Sequence, residues 1–216
     1  MITNFKIFEQ IENVILYHGS NKEFKEFDET KLSTGDSSEL FGKGFYLTDN
    51  IDVAKFYGKM MTKKEKVTRY TYTGIFGSPE PHFSKDAEEH ANKNYKVNTF
   101  RVSGNILNSK DYILDDKFLE LLRGLFRKES GFGNSADRLF DDKVEFMRGH
   151  KSEIRNYRGE LWYLILQCGF RDKTPITDYI KKIGFDGLKY ETDLDFEGEH
   201  GWNYVIYNKS VIKPLT

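Results

Sequence analysis

The chain of 216 residues is poor in cysteine, proline and tryptophan, with one, four and two of each, and its charges nearly cancel at 33 Lys plus Arg against 34 Asp plus Glu. A single cysteine, Cys168, excludes an internal disulfide and any multi-cysteine metal site. It stands in the apolar run LWYLILQCGF, a context of burial rather than reactivity. The balanced charge excludes a broad electrostatic field for nucleic acid or membrane surfaces, and the strip Lys63, Lys64 and Lys66 reads as a solvated loop. No apolar run is long enough to cross a bilayer. The first residues scatter Lys6, Glu9 and Glu12 among Phe5, Phe8 and Ile11, so the apolar core of a secretory signal is missing. With no internal repeat and no linker, residues 1–216 are expected to form one domain of a reducing compartment.

What the chain does have is aromatic side chains, 18 Phe and 13 Tyr, which must supply much of the buried area. The most informative stretch runs from Val14 to Gly58. Val14, Ile15 and Leu16 read as a buried strand that delivers Tyr17, His18, Gly19 and Ser20 at its tip. Further on, Phe41-Gly42-Lys43-Gly44 precedes Phe45-Tyr46, and Asp49-Asn50 signals the start of a helix carrying Ala54, Phe56 and Tyr57. Together these describe a small pocket of aromatic faces and exposed backbone amides.

Elsewhere, Phe5, Phe8 and Ile11 suggest a short amphipathic helix, and residues 33–38 a polar flexible connection. Val67 to Tyr72 alternates as a strand; Gly77 to Asn94, with Pro79 and Pro81, lacks periodicity and reads as an excursion. His82 and His90 fall there without spaced partners, which points to solvated surface rather than metal ligation. A strand pair is expected from Tyr95 to Val102 and at Ile106-Leu107, turning near Gly104-Asn105. Helices follow from Asp115 to Lys128, between Ser135 and Arg148, from Tyr157 to Cys168, and from an N-cap at Thr174 with Pro175 at the first position. Phe185 to Tyr190, Tyr204 to Tyr207 and Val211-Ile212 read as closing strands around an acidic loop. Strands at both ends and helices between them give an α+β class with largely antiparallel sheet.

Those end segments resemble the NAD-dependent ADP-ribosyltransferase superfamily, in the branch of poly(ADP-ribose) polymerases and diphtheria toxin. LYHGS is similar to that branch's histidine strand, FGKGFYLTD to its tyrosine strand and NYVIYNKSVIKPL to the strand that carries its glutamate. The resemblance implies an ADP-ribosyltransferase-like fold, in which two small, mainly antiparallel sheets form a cleft. It also implies a single catalytic domain over 1–216, with NAD as co-substrate and no metal.

Carried onto this chain, the resemblance makes His18, Tyr46 and Asn203 the catalytic set. It makes His18, Gly19, Ser20, Gly44, Tyr46 and Tyr57 the NAD-binding set. Gly19 would pair its backbone with the nicotinamide carboxamide, and His18, helped by Ser20, would hydrogen-bond the adenosine-side ribose. Tyr46 and Tyr57 would stack on the nicotinamide faces, with Gly42 and Gly44 letting the backbone approach; a cationic pyridinium between electron-rich rings is attracted to both.

Two positions depart from the pattern. Asn203 stands where the glutamate is expected; it can hydrogen-bond a ribose hydroxyl but is no general base at neutral pH. Ala54 stands where a serine that contacts nicotinamide is common, a loss of about 0.5 to 1.5 kcal/mol. Glu197 and Glu199 form a Glu-x-Glu that Gly201 and Trp202 separate from Asn203, which favours solvated loop charge over catalysis.

The function implied is transfer of one ADP-ribose unit from NAD to a macromolecular acceptor, protein or nucleic acid, with release of nicotinamide. Two alternatives stay open: NAD glycohydrolysis, and an inactive module that binds NAD or ADP-ribose. A toxin or effector role would place the protein in the cytoplasm, or in a host cytosol reached without an N-terminal signal. It would add an antidote or host target protein to its partners, with no membrane among them.

Overall fold

The structure, a computed structural model, describes residues 8–32, 40–64, 67–72, 79–192 and 201–215. Its spine is a pair of long antiparallel strands, β1 (Phe8–Ser20) and β5 (Lys96–Asn108), paired from Phe8↔Leu107 to Ser20↔Lys96. The register slips between Ile11 and Val14, where Asn13 has φ 55° and its amide donates to Ser103 Oγ at 2.9 Å. One extra residue in β1 makes this a β-bulge. Ile11 and Val14 are therefore three apart yet meet the same apolar cluster. The expected first helix is corrected on this point: from Phe8 onward the segment is strand, and residues 1–7 lie outside the described residues.

β2 (Phe45–Thr48) leads into α1 (Ile51–Lys64), which starts where Asn50 Oδ1 accepts from the Asp52 and Val53 amides at 2.8 and 3.4 Å. β3 (Val67–Tyr72) forms as expected and pairs with β4 (Pro79–Phe83) in a separate hairpin sheet. β4 has only β3 as neighbour, so Pro79 and Pro81 cost no central ladder bonds. The rest of the expected excursion is α2 (Lys85–Asn94), capped by Ser84 Oγ accepting from the Ala87 amide at 3.2 Å. Its buried face is Ala87 and Ala91, too small to show as apolar periodicity. β5 is continuous where a turn is expected: Gly104 lies opposite Ile11, and Asp186 Oδ2 accepts from the Asn105 amide at 3.0 Å.

A helical lobe follows: α3 (Asp116–Glu129), α4 (Ala136–Gly149), α5 (Lys151–Tyr157), α6 (Glu160–Cys168) and α7 (Thr174–Lys182). Asp115 caps α3 through the Phe118 amide at 2.8 Å. In α7, Thr174 is the first helical residue rather than the cap, and Asp172 Oδ1 accepts from its amide at 3.0 Å. The chain ends in β6 (Gly187–Glu191), β7 (Trp202–Ile206) and β8 (Ile212–Pro214).

The α+β class holds, but the pairing differs from two small sheets facing across a cleft. The order β1-β2-β7-β6-β5 closes on itself through β1–β5 into a five-stranded ring, with β8 added to β5; only β5–β6 is parallel. Two strands of 13 residues, one of them bulged, reach partners on both sides and so close the ring. Closure is thinnest between β1 and β2, where the one register pair is Tyr17↔Thr48.

Leu16, Phe45, Leu47, Phe100, Tyr204 and Ile206 form one apolar cluster, on the inward face of the ring. A second cluster joins the outward residues Leu188, Val205 and Tyr207 to Phe118, Leu122, Phe140 and Leu164 of the helical lobe. Among the described residues no helix is long and apolar enough to cross a membrane.

Candidate active site

Alternation decides which side chains meet. Phe45 and Leu47 of β2 and Tyr204 and Ile206 of β7 enter the inner cluster, so Tyr46, Thr48, Asn203, Val205 and Tyr207 face outward. On β6, Leu188 and Tyr190 pack on the same outer side. The registers Thr48↔Asn203 and Tyr190↔Asn203 then set Asn203 between Thr48 and Tyr190, with Tyr46 across from Val205.

Tyr46 is fixed by the loop before it. Its hydroxyl donates to the Gly42 carbonyl at 2.9 Å and accepts from the Phe41 amide at 3.4 Å, while the Tyr207 hydroxyl donates to the Phe41 carbonyl at 2.8 Å. Gly42 has φ 87°, and a Cβ there would stand 2.4 Å from Thr177 Oγ1, so this loop requires glycine. Gly44 is used for sheet packing: a Cβ would meet Val205 Cγ1 at 2.6 Å.

Tyr57 projects from α1 with 45% of its surface exposed. Burial, helped by the phenols of Tyr46 and Tyr57, holds the Tyr190 hydroxyl far above the usual tyrosine range, so the three phenols lie within electrostatic reach of one another. The Tyr190 ring rests on Phe41 at 4.8 Å between centroids. Beside it Asn203 is only 7% exposed. Among the described residues no hydrogen bond reaches the Asn203 amide or the Tyr190 hydroxyl.

His18 approaches from the other strand. Its Nδ1 lies 2.8 Å from the Tyr46 carbonyl oxygen, which can only accept, so the ring proton is on Nδ1 and the neutral ring leaves an Nε2 lone pair free. Phe24 and Phe27 stand edge-on to the imidazole at 5.5 and 5.2 Å. Burial pulls its pKa below the ordinary 6.5, against the smaller upward pull of the backbone bond. Asn98, opposite His18 in the ladder, accepts from the Phe24 amide at 2.8 Å and donates to the Lys22 carbonyl at 3.1 Å, which holds the covering loop down.

Gly19 is pressed on α1: a Cβ would fall 1.9 Å from the Ala54 carbonyl oxygen and 2.4 Å from the Gly58 nitrogen. Ser20 turns away, its Oγ accepting from the Lys22 amide at 3.1 Å. Asp49 ties the start of β7 to the end of β2 through the Trp202 amide at 2.7 Å, and burial raises its carboxyl above 3.8.

The structure thus sets Tyr46 and Asn203 on one outward face, with Tyr57 within electrostatic reach of Tyr190 there, and joins His18 to Tyr46 through its backbone rather than by a shared face. Glu197 and Glu199 lie outside the described residues. Tyr190 is the residue sequence reasoning missed; its parity with Leu188 in a strand already read from Phe185 to Tyr190 is the signal that marks it. Cys168 is set apart, its thiol pushed up to about 12 by burial. Two concavities lie elsewhere, about 380 Å³ beside Asn13 and Asp186 and about 510 Å³ between α3 and α4.

A sequence model of the family described as ADP-ribosyltransferase in polyvalent proteins matches residues 10–120, more than half of the chain. The chain belongs to this ADP-ribosyltransferase family. No curated protein and no solved structure matches. The matched span carries His18, Gly19, Tyr46 and Tyr57, and it ends inside α3, before Tyr190 and Asn203.

Proposed function

We propose that residues 1–216 act as a single mono-ADP-ribosyltransferase domain of the histidine-tyrosine-glutamate branch, with Asn203 at the glutamate position and NAD as co-substrate. What carries the reading is the placement of Tyr46 and Asn203 on one outward face, with the Tyr57 phenol within electrostatic reach of Tyr190 beside Asn203, which is 7% exposed and has no hydrogen-bond partner among the described residues. An amide with no partner in the protein is open to a ligand, and a ribose hydroxyl would bond it.

Tyr46 and Tyr57 would flank the nicotinamide, with the Gly19 backbone at its carboxamide. His18, its proton fixed on Nδ1, would accept from the adenosine-side ribose through Nε2. The reaction breaks the bond from the ribose carbon to the nicotinamide nitrogen, and nicotinamide leaves with the electron pair. The acceptor nucleophile bonds to that carbon and releases its proton to solvent. Alignment and exclusion of water supply the acceleration, since neither Asn203 nor a tyrosine held above its ordinary pKa takes a proton at neutral pH.

The acceptor is a macromolecule, and labelled NAD in a lysate followed by protease and nuclease digestion separates protein from nucleic acid. Expected are nicotinamide release, a labelled macromolecule, and loss of both in Tyr57→Ala, whose exposed ring carries little of the core. Nicotinamide release without label would replace transfer by glycohydrolysis. Calorimetric NAD binding without release would leave a binding module, the reading that Asn203 and Ala54 favour. Absence of both binding and release would overturn the assignment.

A further inference from the structure

We infer that Tyr190 is a substrate-binding residue of this site: its hydroxyl and the Asn203 amide together take the two hydroxyls of the ribose from which nicotinamide leaves. The inference rests on the reading above. Tyr190 and Asn203 are directly opposed in the β6–β7 ladder, and alternation puts both on the outward face with Tyr46. Cross-strand neighbours hold their Cβ atoms about 5 Å apart, so two polar tips there can grip adjacent groups of one small ligand.

Among the described residues both tips are without partners, although Asn203 is more than nine-tenths buried and Tyr190 half-buried. The other two phenols on the outward face, of β2 and of the residue just after β7, are engaged: Tyr46 with Gly42, Tyr207 with Phe41. Among the described residues the Tyr190 hydroxyl is the one left over. A phenol is both donor and acceptor, as is an amide, so the pair matches a cis-diol, in which each hydroxyl also gives and takes one bond. Asn203 alone could meet only part of that demand.

The ring of Tyr190 is fixed on Phe41, so Tyr190→Phe removes the oxygen and leaves the packing in place. Melting temperature is expected to stay level, because no internal hydrogen bond is lost. NAD affinity, read by calorimetry, is expected to fall about threefold to tenfold, the worth of one neutral hydrogen bond. The deciding comparison uses NAD lacking the 2′-hydroxyl on the nicotinamide ribose and NAD lacking the 3′-hydroxyl. Wild type should bind both analogues more weakly than NAD, and in Tyr190→Phe the difference for one of them should collapse. Unchanged NAD affinity in Tyr190→Phe, or full discrimination against both analogues retained, overturns the role of Tyr190 while the transferase reading stands. Wild type that binds no NAD overturns both.

Discussion

The imidazole of His18 gives its Nδ1 proton to the carbonyl of Tyr46, 2.8 Å away, beside the one bridge, Tyr17↔Thr48, that joins β1 to β2. Burial keeps this ring neutral, so the unfolded chain takes up a proton before the folded one does. Stability contributed by His18 is therefore present above the ordinary value of 6.5 and is lost as pH falls from there toward the lower folded value. Urea midpoints between neutral pH and about pH 5 should decline in wild type. His18→Asn keeps an N–H near the Nδ1 position without the titration, and its decline should be smaller. Asp49, with a raised carboxyl, works in the opposite sense, regaining stability as pH falls through its raised value toward 3.8, and does so equally in both proteins. Parallel declines in the two proteins would remove His18 from the acid response.

Gly19→Ala places a methyl within 1.9 Å of the Ala54 carbonyl oxygen and 2.4 Å of the Gly58 nitrogen, both backbone atoms that no rotamer change can move. Overpacking of this kind costs about 1 to 3 kcal/mol, and more where backbone is hit. α1 must lift from the tip of β1, carrying Tyr57 with it. The expected outcome is a large drop in urea midpoint together with weaker NAD binding. An unchanged midpoint would mean that β1 and α1 are not in the contact described.

Asn98→Ala strands the Phe24 amide and the Lys22 carbonyl, a cost of about 1 to 3 kcal/mol where these groups are shut from water. Because Phe24 and Phe27 cover His18, the looser loop should let the imidazole pKa rise back toward 6.5. An NMR titration of the His18 ring reads this without reference to activity, and hydrogen exchange at the Phe24 amide should quicken. A His18 titration identical to wild type would show that the loop is not what shields the ring.

Which parts of this were legible in the sequence follows from what kind of signal each part leaves. Long amphipathic helices such as α3, with Asp115 as cap and Phe118, Leu122 and Leu125 on one side, leave a strong one, and so does the alternation of β3. The bulge at Asn13 erased alternation in β1, and α2 hid its buried face in two alanines. Ring closure is invisible because pairing between β1 and β5 is a relation between segments about ninety residues apart, as with Asn13 and Ser103. At the site, short motifs marked Tyr46, Tyr57 and Asn203, whereas Tyr190 belongs to no motif and is distinguished only by its ladder partner.

Asn203→Glu tests what the missing carboxylate does. The new group would occupy a position 7% exposed, beside Tyr190 and Thr48, so burial should raise its pKa above the ordinary carboxylate value. The folded state then holds a proton that the unfolded state has released, and stability should be lower than wild type at neutral pH and recover as pH falls toward the unfolded value of about 4.3. If the site cleaves NAD, a carboxylate that polarises the incoming nucleophile should raise nicotinamide release, with a rate that climbs through that raised pKa; general-base assistance is commonly worth about a hundredfold or more. Stability and release are measured on the same protein across the same pH range. A variant whose stability shows the buried carboxylate but whose release stays at the wild-type level would mean that position 203 does not face the reacting ribose, and with it the assignment of the outward face of β6 and β7 as the catalytic wall would fall.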